Sequence, residues 1–189
     1  FTRRPSPVLY PDRDAQRANE WPGGVEDPRI VERDDGTYVL TYTQWNRDIP
    51  RLAVATSRDL VIWQKHGPAF AGVANGKYLR SESKSGAILS RLVGDRIVAT
   101  KVNGKYWMYF GVPTIRIATS DDLIRWTPLE APDSNAIAVL APRPGYFDSW
   151  LVEPGPPALL TEHGVVLLYN AGNSGTHGDP RLPDRMYSA

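Results

Sequence analysis

The chain has 189 residues, room for one domain with a sizeable core, and 22 Lys+Arg stand against 21 Asp+Glu for a formal net charge of +1. That balance excludes the basic footprint of a nucleic-acid binder, the lack of cysteine excludes disulfides and thiolate metal sites, and no apolar run nears the ~20 residues of a membrane helix. Six Trp, nine Tyr, 16 Gly and 17 Pro make an aromatic, turn-rich chain, the composition of an all-β protein with short strands.

Residues 1–24 are turn-rich, with Pro5, Pro7, Pro11 and Pro22, and Phe1-Thr2-Arg3-Arg4-Pro5 is not followed by the apolar core of a signal peptide. Next comes the stretch around which the chain is organised, Trp21-Pro22-Gly23-Gly24-Val25-Glu26-Asp27-Pro28-Arg29-Ile30. Two carboxylates stand side by side, Pro28 holds the residue before it extended, and Arg29 follows. An acid held at the mouth of a strand beside a guanidinium suits general acid work, and a solvated surface turn is the plainer reading. Ile30-Val31 and Thr37 to Thr43 flank Asp34-Asp35-Gly36, a hairpin signal. Leu52 to Ser57 is a third strand, and Arg58 to Trp63 turns back through an edge segment.

The plan then repeats. Gly86 to Leu89 and Arg96 to Ala99 read as strands, and Asn103-Gly104 opens Lys105-Tyr106-Trp107-Met108-Tyr109-Phe110. Ile115 to Trp126 matches the earlier segment in register: Ala-Thr-Ser, Asp-Leu and Trp recur, and Trp63 and Trp126 stand 63 positions apart. Phe1 precedes Trp63 at a similar interval and Pro7 follows Phe1 much as Pro68 follows Trp63, and Ala158-Leu159-Leu160, Glu162-His163-Gly164 and Val165 to Tyr169 give a third hairpin. A period of this size with about four strands per unit is the signature of a β-propeller, whose units bury their faces against neighbours. The expectation is a partial propeller over residues 1–189, about three units, incomplete at both ends; a complete two-sheet sandwich is the alternative. No helix of three turns is expected. Recurrence makes Trp63 and Trp126 packing residues. His66, His163 and His177 lack ligand spacing, so no metal or cofactor is expected.

Taken in order, Glu26-Asp27-Pro28-Arg29, Ser83-Lys84-Ser85-Gly86-Ala87-Ile88, Asn103 to Tyr109, and Phe147-Asp148-Ser149-Trp150-Leu151-Val152-Glu153-Pro154-Gly155-Pro156-Pro157 resemble glycoside hydrolase family 130. The resemblance covers nearly the whole chain. It implies a five-bladed β-propeller, of which this chain covers the central blades, and an oligosaccharide partner. In that family the Asp before Pro-Arg is an inverting general acid acting through a sugar hydroxyl, the position of Asp27. Arg29, two residues on, shares its strand face and either binds substrate or pairs with the acid.

Phosphorylases of the family carry phosphate ligands at three places. Here those places hold Phe110-Gly111-Val112, Glu153-Pro154-Gly155 and Tyr169-Asn170. The departures remove phosphate ligands or add a negative charge. A carboxylate there repels phosphate and deprotonates water instead, which makes Glu153 the base and hydrolysis of β-mannosides, β-1,2-linked, the expected reaction. A structural acid at a Pro-rich turn is the alternative for Glu153. Val112 stands where the family's β-1,2-mannosidases tend to have a second Glu, a place Glu82 would have to fill. Lys84 matches their lysine for the 1,2 linkage. Trp45, Asn46, Arg47 and Asp148 follow strand ends and are expected to line the pocket, since sugar sites combine aromatic faces with planar polar groups. A phosphorylase of the same family and a non-catalytic carbohydrate-binding propeller are the competing readings.

Overall fold

A computed structural model describes residues 4–189, the side chain of Ala74 excepted. The protein is all-β. Strands β1 (Gly24–Glu32), β2 (Tyr38–Trp45), β3 (Pro50–Ser57) and β4 (Gln64–Pro68) form a first antiparallel unit. The only helical turns among the described residues are α1 (Arg17–Glu20) and a 3-10 segment over Ala74–Arg80. The second unit consists of β5 (Ala87–Ile88), β6 (Ser90–Val93), β7 (Arg96–Ala99), β8 (Lys101–Val102), β9 (Lys105–Phe110), β10 (Ile115–Ser120), β11 (Thr127–Pro128) and β12 (Ala138–Leu140). The third holds β13 (Leu151–Pro154), β14 (Leu159–Thr161), β15 (Gly164–Val166), β16 (Tyr169–Gly172) and β17 (Tyr187–Ser188).

The second unit orders its strands β5-β9-β10-β11, and the third β13-β16-β17. Each has a short hairpin set between its first two main strands, β6–β7 and β14–β15. Each hairpin leaves its own unit and joins the one before it: β7 runs parallel to β1 through Glu32 and Val98, and β14 parallel to β6 through Leu159 and Ser90. One eight-stranded sheet therefore runs through pieces of all three units. No sheet closes on itself among the described residues.

The units pack face against face. Val31, Val39, Leu52, Val54 and Phe70 meet Ile88, Met108, Phe110, Leu123 and Trp126 in the main core, and Ile115, Val152 and Ala171 fill the next interface. Central strand β2 is buried on both faces, because Leu40 and Tyr42 enter a separate cluster with Leu9, Val25 and Trp63.

The sequence repeat has a local cause. Ser57 Oγ accepts the Leu60 N–H at 2.9 Å, while Asp59 Oδ1 accepts those of Val61 and Ile62 at 2.8 Å. Ser120 and Asp122 do the same for Leu123, Ile124 and Arg125. Both turns put a leucine at positive φ, Leu60 at 61° and Leu123 at 67°. The environments then diverge. Leu123 and Trp126 are fully buried and the Trp126 N–H donates to Ala69 O of the first unit, whereas Leu60 and Ile62 lie exposed at the outer edge. Trp126 is thus a packing residue as expected, and Trp63 is half-buried against Leu9 and Val25. The expected match at Phe1 lies outside the described residues.

Candidate active site

The acidic stretch enters β1, but not as a regular strand. Glu26 faces Thr43 and Arg29 faces Thr41, so β1 carries one residue more than β2 across this interval, a β-bulge. Pro28 has no N–H to contribute to a ladder, and Asp27 sits at φ 52°, a left-handed backbone uncommon outside Gly, Asn and Asp. The bulge re-aims the Asp27 carboxyl, whose Oδ2 accepts the Thr43 hydroxyl at 3.3 Å.

Lys84 and Ser85 come from the segment before β5, fastened on both sides. The Ser83 N–H donates to Pro50 O, the Gly111 N–H to Lys84 O, and the Thr41 hydroxyl to Gly86 O at 2.6 Å. Gly86 is required for close approach: a Cβ there would stand 2.9 Å from both Leu52 Cδ1 and Met108 Sδ. Ser85, also left-handed at φ 57°, donates its hydroxyl to Glu153 Oε2 at 3.1 Å. Glu153 is the third residue of β13, opposite Asn170 on β16, whose amide reaches its other oxygen at 3.5 Å.

These elements converge on Lys84. Its ammonium lies 3.7 Å from Asp27 Oδ2 and 3.8 Å from Glu153 Oε2. Two carboxylates from different units are thus brought to one cation, each partly open to solvent. Glu153 and Lys84 open onto a cleft of about 480 Å³ also walled by Glu26, Trp45, Arg47, Glu82, Trp150 and Tyr187, with Val112 on its lining; Asp27 is not on that lining. That volume falls in the range of small-ligand sites.

Three expected ligands stand elsewhere. The Arg29 guanidinium does not reach into the cleft or onto the Asp27 carboxyl. It donates to three backbone carbonyls: Asp27 O at 2.9 Å, Pro154 O at 2.6 Å, and Gly155 O. Burial pulls its pKa below the ordinary arginine value, against the opposing pull of Asp27 and Glu153. Asp148 is completely buried, its Oδ2 accepting from Arg143 Nε at 2.8 Å and the Tyr169 hydroxyl at 3.2 Å, so it is a packing carboxylate and does not line the cleft. Asn46 shapes its own loop, accepting the Asp48 and Ile49 N–H groups and donating to Ala18 O. Trp45 and Arg47 do reach the cleft wall.

Sequence reasoning assigned no role to Ser85, Thr43 or Asn170, nor to the aromatic wall of Trp150 and Tyr187. Trp150 carried a signal, since it stands three residues before Glu153 in a motif already singled out. Its ring lies where Gly172 has no side chain: a Cβ there would meet Trp150 Cε3 at 2.7 Å.

Paired carboxylates beside an aromatic-walled cleft are the equipment of glycoside chemistry. Residues 1–178 match the profile of glycoside hydrolase family 130, described as beta-1,4-mannooligosaccharide phosphorylase, and the chain belongs to this family. It is 30% identical over 177 residues to a 1,2-beta-oligomannan phosphorylase from Thermoanaerobacter sp. (strain X514), covering 92% of this chain and 49% of that protein. A glycosyl hydrolase structure from Bacteroides ovatus is 54% identical with a TM-score of 0.97, over 100% of this chain and 53% of the other. A third relative, 52% identical with a TM-score of 0.97 over 100% of this chain and 52% of its own, belongs to work described as showing that the GH130 family of mannoside phosphorylases contains glycoside hydrolases that target beta-1,2 mannosidic linkages in Candida mannan. The chain spans about half the length of these relatives.

Proposed function

We propose that the full protein is an inverting glycoside hydrolase that releases mannose from β-mannosides, β-1,2-linked, with Asp27 as general acid and Glu153 as general base. In this reading the three units are blades of a five-bladed propeller whose remaining blades lie outside this chain. Glu153 takes a proton from a water, which attacks the anomeric carbon. Asp27 delivers its proton through a sugar hydroxyl to the departing glycosidic oxygen, and the anomeric configuration inverts.

The observation that carries the reading is the Lys84 ammonium shared by the two carboxylates. Asp27 Oδ2 and Glu153 Oε2 stand no further apart than those two contacts laid end to end. That limit brings both groups within reach of one sugar ring, and the inverting assignment itself rests on the family resemblance. Hydrolysis is favoured over phosphorolysis by charge. Glu153 would confront a phosphate dianion at close range, and Asn170 beside it is neutral. The higher identity to the relative described with hydrolases of β-1,2 linkages points the same way. A phosphorylase is the second reading, favoured by the name of the Thermoanaerobacter relative.

Incubating the full-length protein with β-1,2-mannobiose, with and without phosphate, tests the proposal. Mannose in both arms supports hydrolysis; mannose 1-phosphate formed only with phosphate moves the protein to the phosphorylases; binding with no product in either arm leaves a carbohydrate-binding propeller.

A further inference from the structure

We infer that Arg29 is a positioning residue: a strut that sets the spacing of the acid and the base by gripping the main chain of both. The inference rests on the reading of Asp27 and Glu153 as that pair. One guanidinium spans the two sides. Nη1 donates to the carbonyl of Asp27 itself, Nη2 to Pro154 O, and Nε to Gly155 O, the two carbonyls immediately after Glu153. The partners lie 125 and 126 residues away in sequence on one side and two on the other. Strands β1 and β13 belong to different sheets and share no ladder, so main-chain pairing does not fix their separation. Lys84 also touches both residues, but through flexible side-chain ends at ion-pair distance.

The chemistry of the side chain suits the task. A guanidinium is planar and offers its donors in a rigid fork, so its bonds hold direction as well as distance; a lysine ammonium is a point charge on a flexible stem. The bond to Asp27 O closes over the bulge and secures the left-handed backbone that aims the acid. The bonds to Pro154 and Gly155 fasten the strand end just past the base, where β13 gives way to the Pro-rich turn. Three of the five guanidinium donors are thereby committed to backbone, in a half-buried position off the cleft wall. Releasing the strut lets the carboxylates drift, and a displacement near 1 Å costs on the order of 100-fold in rate.

The test uses Arg29→Lys, Arg29→Met and Arg29→Ala in the full-length protein with β-1,2-mannobiose. Expected for all three is a fall in kcat on the order of 100-fold with KM changed by less than about threefold, and partial recovery of Arg29→Ala in millimolar guanidinium. A rise in KM with kcat kept would make Arg29 a sugar ligand and overturn the inference. Amide exchange reads the strut without turnover. The Gly155 N–H, bonded to Leu168 O, should exchange about tenfold faster in Arg29→Met and in Arg29→Lys, while core amides such as Val54 stay protected. Unchanged protection at Gly155 overturns the strut. A wild-type protein inert toward mannobiose, with and without phosphate, overturns the functional reading instead, and the exchange result then decides the strut alone.

Discussion

Replacing Glu20 by alanine removes the most deeply buried carboxylate that the first unit depends on. Glu20 is fully buried at the end of α1, and three donors converge on it: the Tyr42 hydroxyl at 3.0 Å, Gln44 Nε2 at 2.9 Å and Lys65 Nζ at 2.6 Å. Breaking a buried ion pair from one side costs roughly 3–5 kcal/mol. Two features put this case near the lower end. Lys65 keeps Asp14 at 3.0 Å and Tyr10 O at 2.7 Å, and Tyr42 and Gln44 remain bonded to each other at 3.2 Å. The expected loss is about 3 kcal/mol, a urea midpoint lowered by about 1 M at ordinary m-values, read by tryptophan fluorescence.

The pH dependence supplies a second arm. Burial opposes the charge of Lys65, but its bonds to Glu20 and Asp14 more than offset this and raise its pKa above 10.5. A raised lysine contributes stability that is complete below its unfolded pKa and is lost as pH rises through the folded value. Wild-type stability should therefore decline in strongly alkaline solution, and Glu20→Ala should decline less. A midpoint shift under about 0.3 M would refute the assignment of this network as a stability anchor.

Asp27→Asn and Glu153→Gln should each lower turnover of β-1,2-mannobiose by a factor on the order of 100 or more, and undiminished activity in either variant removes that residue from the chemistry. Gly86→Ala forces a Cβ against Leu52 and Met108 and should cost about 1–3 kcal/mol in chemical denaturation; a change within experimental error would show that the second unit yields there. His66 is held below the ordinary value of 6.5 by burial, with Asp122 opposing, and its ring shares a 2.8 Å hydrogen bond with Thr56. Its contribution to stability is intact above about pH 6.5 and is lost as pH falls through the folded value, so His66→Gln should flatten that acid limb, and an NMR titration midpoint at or above 6.5 would contradict the assignment.

What the sequence made legible was chemistry that acts over a few residues. The repeated Ala-Thr-Ser and Asp-Leu segments were readable because Ser57 and Asp59, like Ser120 and Asp122, satisfy the backbone of their own turns. The strands and the hairpin at Asp34-Asp35-Gly36 followed from alternation and turn residues alone. The acidic pair Glu26-Asp27 stood out locally, but the choice of Asp27 within it, with Lys84 and Glu153, came through the family resemblance, and their meeting depends on folding that no local pattern records. Arg29 was read by strand alternation as sharing the face of Asp27, to bind substrate or pair with the acid, a rule that fails where a bulge adds a residue. Two of its three partners are backbone carbonyls more than a hundred residues away, and a carbonyl has no signature in sequence. Asp148 was misplaced for a related reason. It was read as following a strand end, but it lies ahead of β13, where Arg143 and Tyr169 enclose it.

The hairpins β6–β7 and β14–β15 carry a consequence for how this molecule comes apart. Repeat arrays whose members touch only through side chains fray from their ends, one member at a time. Here Glu32 pairs with Val98 through the main chain and takes Arg96 in an ion pair at 2.6 Å, and Leu159 pairs with Ser90. Peeling away any one unit therefore breaks main-chain hydrogen bonds shared with its neighbour. The three should melt as a single cooperative block, laced together by two hairpins that each unit lends to the one before it.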